Sequence, residues 1–113
     1  MTEFTKIKLK RMSETELLQR LKDDMQCGDC AIDGTTPPKG TRIVPPESTL
    51  FIVVDMPKDK GAIRIFEEKD DNYIGAVATE DAGYLIVVPW TSSWWFRASG
   101  SLTVGYIRAA ERK

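Results

Sequence analysis

The chain has 113 residues, enough for one domain with a modest core, and its apolar (42%) and charged (29%) fractions are ordinary for a globular protein. With 16 basic and 17 acidic residues the net charge is −1, so no overall field draws nucleic acid or an anionic membrane. Histidine is absent, which excludes His acid–base catalysis, Ser–His and Cys–His nucleophile pairs and imidazole metal ligands.

The start, MTEFTKIKLKRMSE, is polar and lacks the apolar region of a signal peptide. No apolar run approaches the ~18 residues of a membrane span. The expected location is the cytoplasm, or a particle assembled there. Residues 4–10, FTKIKLK, alternate: Thr5, Ile7 and Leu9 fall on one face, Lys6, Lys8 and Lys10 on the other. This predicts a half-buried strand whose lysines blunt a sheet edge.

Residues 13–26, SETELLQRLKDDMQ, read as the one clear helix. Ser13 is its N-cap, Glu16 completes a capping box, and Met12 and Leu17 can form a hydrophobic staple. Leu17, Leu18, Leu21 and Met25 make an apolar stripe that is expected to pack on the domain's own sheet; the alternative is an arm that docks elsewhere. Residues 27–48 hold four of the six prolines and read as an extended surface connector, with a short strand at Thr41–Val44. Residues 1–48 thus form an N-terminal strand, helix and Pro/Gly-rich arm that packs on, or swaps with, a sandwich of residues 49–113.

From residue 49 the pattern is all β. The segments TLFIVVDM, AIRIF, YIGAVAT, YLIVVP, SWWFRA and LTVGYIRA are separated by Gly, Pro, Asp and Asn turns. Short strands at about ten-residue spacing are the signature of a sandwich or barrel, and the expected fold is a small antiparallel β-sandwich. FRASGSLTV reads as a tight hairpin with Ser99 and Gly100 at its tip. The expected core is Leu50, Ile52, Val54, Ile63, Ile65, Ile86, Val88, Leu102 and Val104.

Three features invite a chemical reading. Cys27 and Cys30 form CGDC, but they follow a helix C-terminus, where the dipole disfavours a thiolate. With no second pair and no His they are half a zinc set. The expectation is two thiols without essential chemistry, with zinc shared across a dimer or a local disulfide as alternatives. EEKDD, residues 67–71, reads as a solvated turn rather than a carboxylate pair across a cleft or a calcium loop. No cofactor and no metal are expected.

The third feature is the run Trp94, Trp95, Phe96. In a strand, Trp94, Phe96 and Ala98 share one face and Trp95 and Arg97 the other. Trp94 and Phe96 are expected in the core. Trp95 and Arg97, with Trp90 and Tyr106 nearby, are expected to form a binding face covered by another chain, since Trp and Arg are enriched at hot spots. The alternative is that Trp95 lies beneath the N-terminal helix or strand. The charges are uneven too: carboxylates dominate residues 47–81 and basic residues dominate 82–113, so copies of the chain could meet edge to edge.

From PPESTLFIVVDMP to GSLTVGYIRA, the strand-and-turn pattern resembles the jelly-roll decoration (cement) proteins of tailed-phage capsids. The resemblance covers roughly residues 41–110 and lies in strand spacing rather than a diagnostic motif. It implies a non-enzymatic structural protein of the virion, a homodimer or homotrimer that clamps capsid subunits through protein–protein contacts, with no nucleic-acid or membrane partner. Two other readings remain open: a carbohydrate-binding module stacking sugars on Trp95, Trp90 and Tyr106, and a small inhibitory or regulatory binding protein.

Overall fold

The computed structural model describes residues 5–25, 30–35, 40–55, 61–67, 72–77, 83–99 and 102–109. Among these, the elements run β1 (Ile7–Lys10), α1 (Glu14–Met25), β2 (Cys30–Thr35), β3 (Thr49–Asp55), β4 (Ile63–Glu67), β5 (Asn72–Val77), β6 (Tyr84–Pro89), β7 (Trp94–Ala98) and β8 (Thr103–Ala109). The strands form two antiparallel sheets, ordered β1-β6-β3-β8-β2 and β5-β4-β7. Ile43 extends the smaller sheet by one rung: it exchanges both backbone hydrogen bonds with Phe96, at 2.8 and 2.9 Å.

The pairings define the winding. β2 lies beside β8, Ile43 beside β7, β3 beside β6, and β4 beside β5. Successive pairs fall alternately in the large and the small sheet. The chain is therefore one long antiparallel double strand rolled upon itself, which is the jelly-roll arrangement. The all-β sandwich read from the sequence is the fold observed, with β1 added at the outer edge of β6.

Both faces of the large sheet are covered. Between the sheets lie Ile52, Val54, Ile63, Ile65, Val77, Ile86, Val88, Trp94, Phe96, Leu102 and Val104. On the opposite face α1 lays Leu17 and Leu21 against Leu9, Val53, Leu85, Val87 and Ile107. The molecule thus has three layers: helix, large sheet, small sheet. This explains why β3 and β6 carry unbroken runs, FIVV and LIVV, where a strand with one wet face would alternate. The N-terminal strand and helix pack on this chain's own sandwich.

Local chemistry fixes α1 at its start. Ser13 Oγ accepts from the Glu16 N–H at 3.2 Å and donates to the Glu16 carboxylate at 3.0 Å. Met12 packs into the same cluster as Leu17, as the staple requires. On β1 the lysines lie on the face opposite Leu9, and Lys6 Nζ donates to the Ala76 carbonyl of β5 at 3.3 Å. Gly61 and Gly83, with φ of 99° and 86°, enter β4 and β6 through a backbone conformation that side chains resist.

Three expectations need correction. The connector contains a full strand, β2, which pairs with β8 over six residues. CAIDGT has no apolar alternation to announce it; the backbone ladder and Ile32, seated against Gly105, hold it in place. The FRASGSLTV hairpin is absent as a paired unit, because β7 and β8 belong to different sheets; Gly100 lies outside the described residues. Ser99 instead ties the end of β7 to the start of β4: its N–H donates to the Ala62 carbonyl at 2.9 Å, and its Oγ accepts from the Ala62 N–H at 3.1 Å. Finally, Leu50 is 40% exposed while Thr49 is buried. A bulge between Thr49 and Phe51 inverts the alternation there. The other eight expected core residues are buried.

Candidate functional site

Alternation sorts the residues of the small sheet. On β7, Trp94, Phe96 and Ala98 point into the inter-sheet core, as the sequence predicted. Trp95 and Arg97 therefore lie on the outer face. β4 does the same: Ile63 and Ile65 are fully buried, and Arg64 and Phe66 face outward. The register then sets Arg64 opposite Arg97 and Phe66 opposite Trp95. On its other side Phe66 faces Tyr73 of β5.

The result is an aromatic row flanked by cations. Phe66 stacks on Trp95 with centroids 4.6 Å apart, and Tyr73 meets Phe66 edge-on at 5.9 Å. The guanidinium of Arg42, from the segment that runs along β7, stands 4.6 Å from the Trp95 ring centre, and that of Arg97 stands 5.3 Å away. Among the described residues no strand or helix covers this face. Arg64 and Arg97 are exposed, and Tyr73 is 59% exposed.

Trp95 itself is only 4% exposed. Its cover comes from Phe66, Arg42 and Arg97 of the same chain, not from a partner and not from the N-terminal helix or strand. The expectation that another chain must bury this ring is therefore corrected: register and a neighbouring loop supply the cover that alternation alone could not predict. The buried Trp95 Nε1–H has no hydrogen-bond partner among the described residues.

Trp90 and Tyr106 do not join this face. Trp90 sits edge-on to Trp94 at 5.5 Å and to Phe96 at 6.0 Å. Tyr106 lies 6.5 Å from Phe96, and burial pushes its hydroxyl pKa up. Both are half-buried against the inter-sheet core, so Trp95, Trp90 and Tyr106 form no shared stacking strip. Of the four residues singled out from sequence, Arg97 is exposed on the outer face with Trp95 beneath it.

Arg42, Arg64, Phe66 and Tyr73 complete the face, and sequence reasoning missed them. The signal for Arg64 and Phe66 was present in AIRIF, whose alternation turns both outward. Between the two facing arginines is a recess of about 200 Å³ lined by Gly40, Arg64, Phe66, Arg97, Ala98 and Ser99. Its wall is pinned where the Gly40 N–H donates to the Ala98 carbonyl at 2.8 Å.

Cys30 is in a disulfide rather than a free thiol, and so is no thiolate ligand; Cys27, the chain's other cysteine, lies outside the described residues. Of the EEKDD run, Glu67 ends β4 and the rest lies outside them too. Among the described residues no group of three or more Cys, Asp or Glu is placed to hold a metal ion. Nor is any helix there long and apolar enough to cross a membrane. No protein-family model matches this chain, and no curated protein or solved structure does.

Proposed function

We propose that the protein is a non-enzymatic structural component that works through protein–protein contacts, and that the outer face of its small sheet is the contact surface. The observation that carries this reading is the exposed arrangement of Arg64, Arg97 and Tyr73 on a rigid floor of Phe66 and Trp95. Arg and Tyr are the residue types that dominate protein-binding hot spots. A floor built on strands holds their geometry without further ordering, which lowers the entropic cost of association.

The setting we propose is the virion of a tailed phage, where the protein decorates and stabilises the capsid, as the resemblance implies. The jelly-roll winding and the absence of histidine both suit a part that binds and does not catalyse. Copies of the chain and a capsid subunit are the proposed partners. The test is to purify particles made with and without Arg97→Glu and to measure how much of the protein sediments with them. The expected outcome is a fixed stoichiometry for the native chain and strong depletion of the variant. A native chain absent from particles overturns the reading.

A further inference from the structure

The register places two arginines directly across from each other, Arg64 on β4 and Arg97 on β7. Like charges in that position repel. Neither pairs with a carboxylate among the described residues, and both are exposed. The sheet thus carries a repulsion that an anion placed between the guanidiniums would relieve. The recess they flank is open to such a group, and its aromatic wall, Phe66, suits the apolar stem of a side chain. Arg97 is also steered by its stacking on Trp95, so part of the binding geometry exists beforehand.

We propose that this recess receives a carboxylate side chain, Asp or Glu, presented by an acidic segment of the partner protein. The inference rests on the reading of this face as a protein-contact surface and names the chemistry of what it contacts. Two arginines paired across the sheet on its outer face, both lining one recess, can offer paired N–H donors to a single carboxylate. They do not make the stripe of cations that follows a nucleic-acid backbone. The net charge of −1 opposes a polyanion further. A short acidic peptide avoids that penalty, because its charge is confined to the recess.

The test uses the full chain and four probes: the blocked peptide acetyl-Gly-Glu-Glu-Phe-Gly-amide, its Gln-for-Glu counterpart, inorganic phosphate, and a single-stranded oligothymidylate. Binding is read from the NMR resonances of the arginine Nε–H groups and of the Trp95 indole N–H. The Glu peptide is expected to bind saturably and to shift these resonances. Arg64→Gln with Arg97→Gln is expected to weaken it by roughly tenfold or more, the usual loss when a charged contact is removed, with unchanged circular dichroism. Should the double variant fail to fold, Arg64→Gln alone gives the same reading, since that side chain supports no ring.

Equal binding of the Gln peptide, tighter binding of phosphate or of the oligonucleotide, or no binding of the Glu peptide overturns the inference. Particle sedimentation is independent of these outcomes. A protein that sediments with particles but ignores the Glu peptide retains the contact reading and loses only the acidic partner.

Discussion

Trp95 and Tyr106 show how a side chain's role follows from what its strand faces. Trp95 lies on the outer surface of a sheet and is nonetheless buried, because Phe66 and two guanidiniums close over it. Removing it takes the floor from under Arg42 and Arg97 and uncovers Phe66. Trp95→Ala is expected to destabilise the isolated chain by roughly 3 kcal/mol, the scale for losing a buried aromatic. A denaturant midpoint unchanged from the native protein would contradict that. Tyr106 carries a pH signature. Its folded pKa is raised by burial above the ordinary value, so the folded state keeps its proton where the unfolded state has lost it. The stabilising effect is whole below the unfolded pKa and is lost as pH rises above it. Stability should therefore fall between about pH 9 and pH 11, and less steeply in Tyr106→Phe. Denaturant melts of both proteins at the two pH values measure the difference.

At the scale of elements, β2 is the least self-sufficient strand. Its ladder to β8 is complete, but its side chains offer mainly Ile32 and the disulfide-bonded Cys30, both only half-buried against the helix-side core, and an exposed Asp33–Arg108 ion pair at 2.8 Å. Such exposed pairs contribute little. Ile32 fits because Gly105 has no side chain: a Cβ there would lie 2.6 Å from Ile32 Cδ1 and 2.8 Å from Cγ1. Gly105→Ala must push Ile32 out of the helix-side core, at a cost of about 1–3 kcal/mol for overpacking. Hydrogen exchange is expected to show faster opening of the β2 amides, while the amides of β4, in the other sheet, keep their protection. Equal loss of protection in both sheets would mean that Gly105 serves the whole sandwich.

Taken as a whole, the molecule has two cores on opposite faces of one sheet. Val53 and Ile107 serve the helix-side core, and their strand neighbours Ile52, Val54 and Val104 serve the inter-sheet core. The shared strands couple the two, so the protein should unfold in one step. Leu21→Ala, in the helix-side core, and Ile65→Ala, between the sheets, are each expected to cost about 2–5 kcal/mol. Both should lower the same transition. The check is coincidence of the helical circular dichroism signal with tryptophan fluorescence during denaturation; helix loss that precedes the fluorescence change would show that the layers are independent.

The sequence by itself determined most of the elements, the fold class and the direction of the key side chains. Ser13 and Glu16 set the helix start, and the spacing of turn residues announced the strands from 49 onward. Alternation alone sent Trp94 and Phe96 inward and Trp95 and Arg97 outward, because the side-chain period of a strand is a local property. Tertiary structure decided what lies beside those side chains. That Phe66 covers Trp95 and Arg64 faces Arg97 depends on the pairing of β4 with β7, two strands separated by β5 and β6. That Tyr106 and Trp90 serve the core depends on which sheet each strand joins. β2 was hidden because its hold is a backbone ladder, which every residue but proline can supply and no side-chain pattern reveals. Leu50 was misplaced because it is the extra residue of a bulge in β3: Thr49 and Phe51 pair with the successive residues Arg108 and Ile107 of β8, and this shift shows only once the two strands are paired.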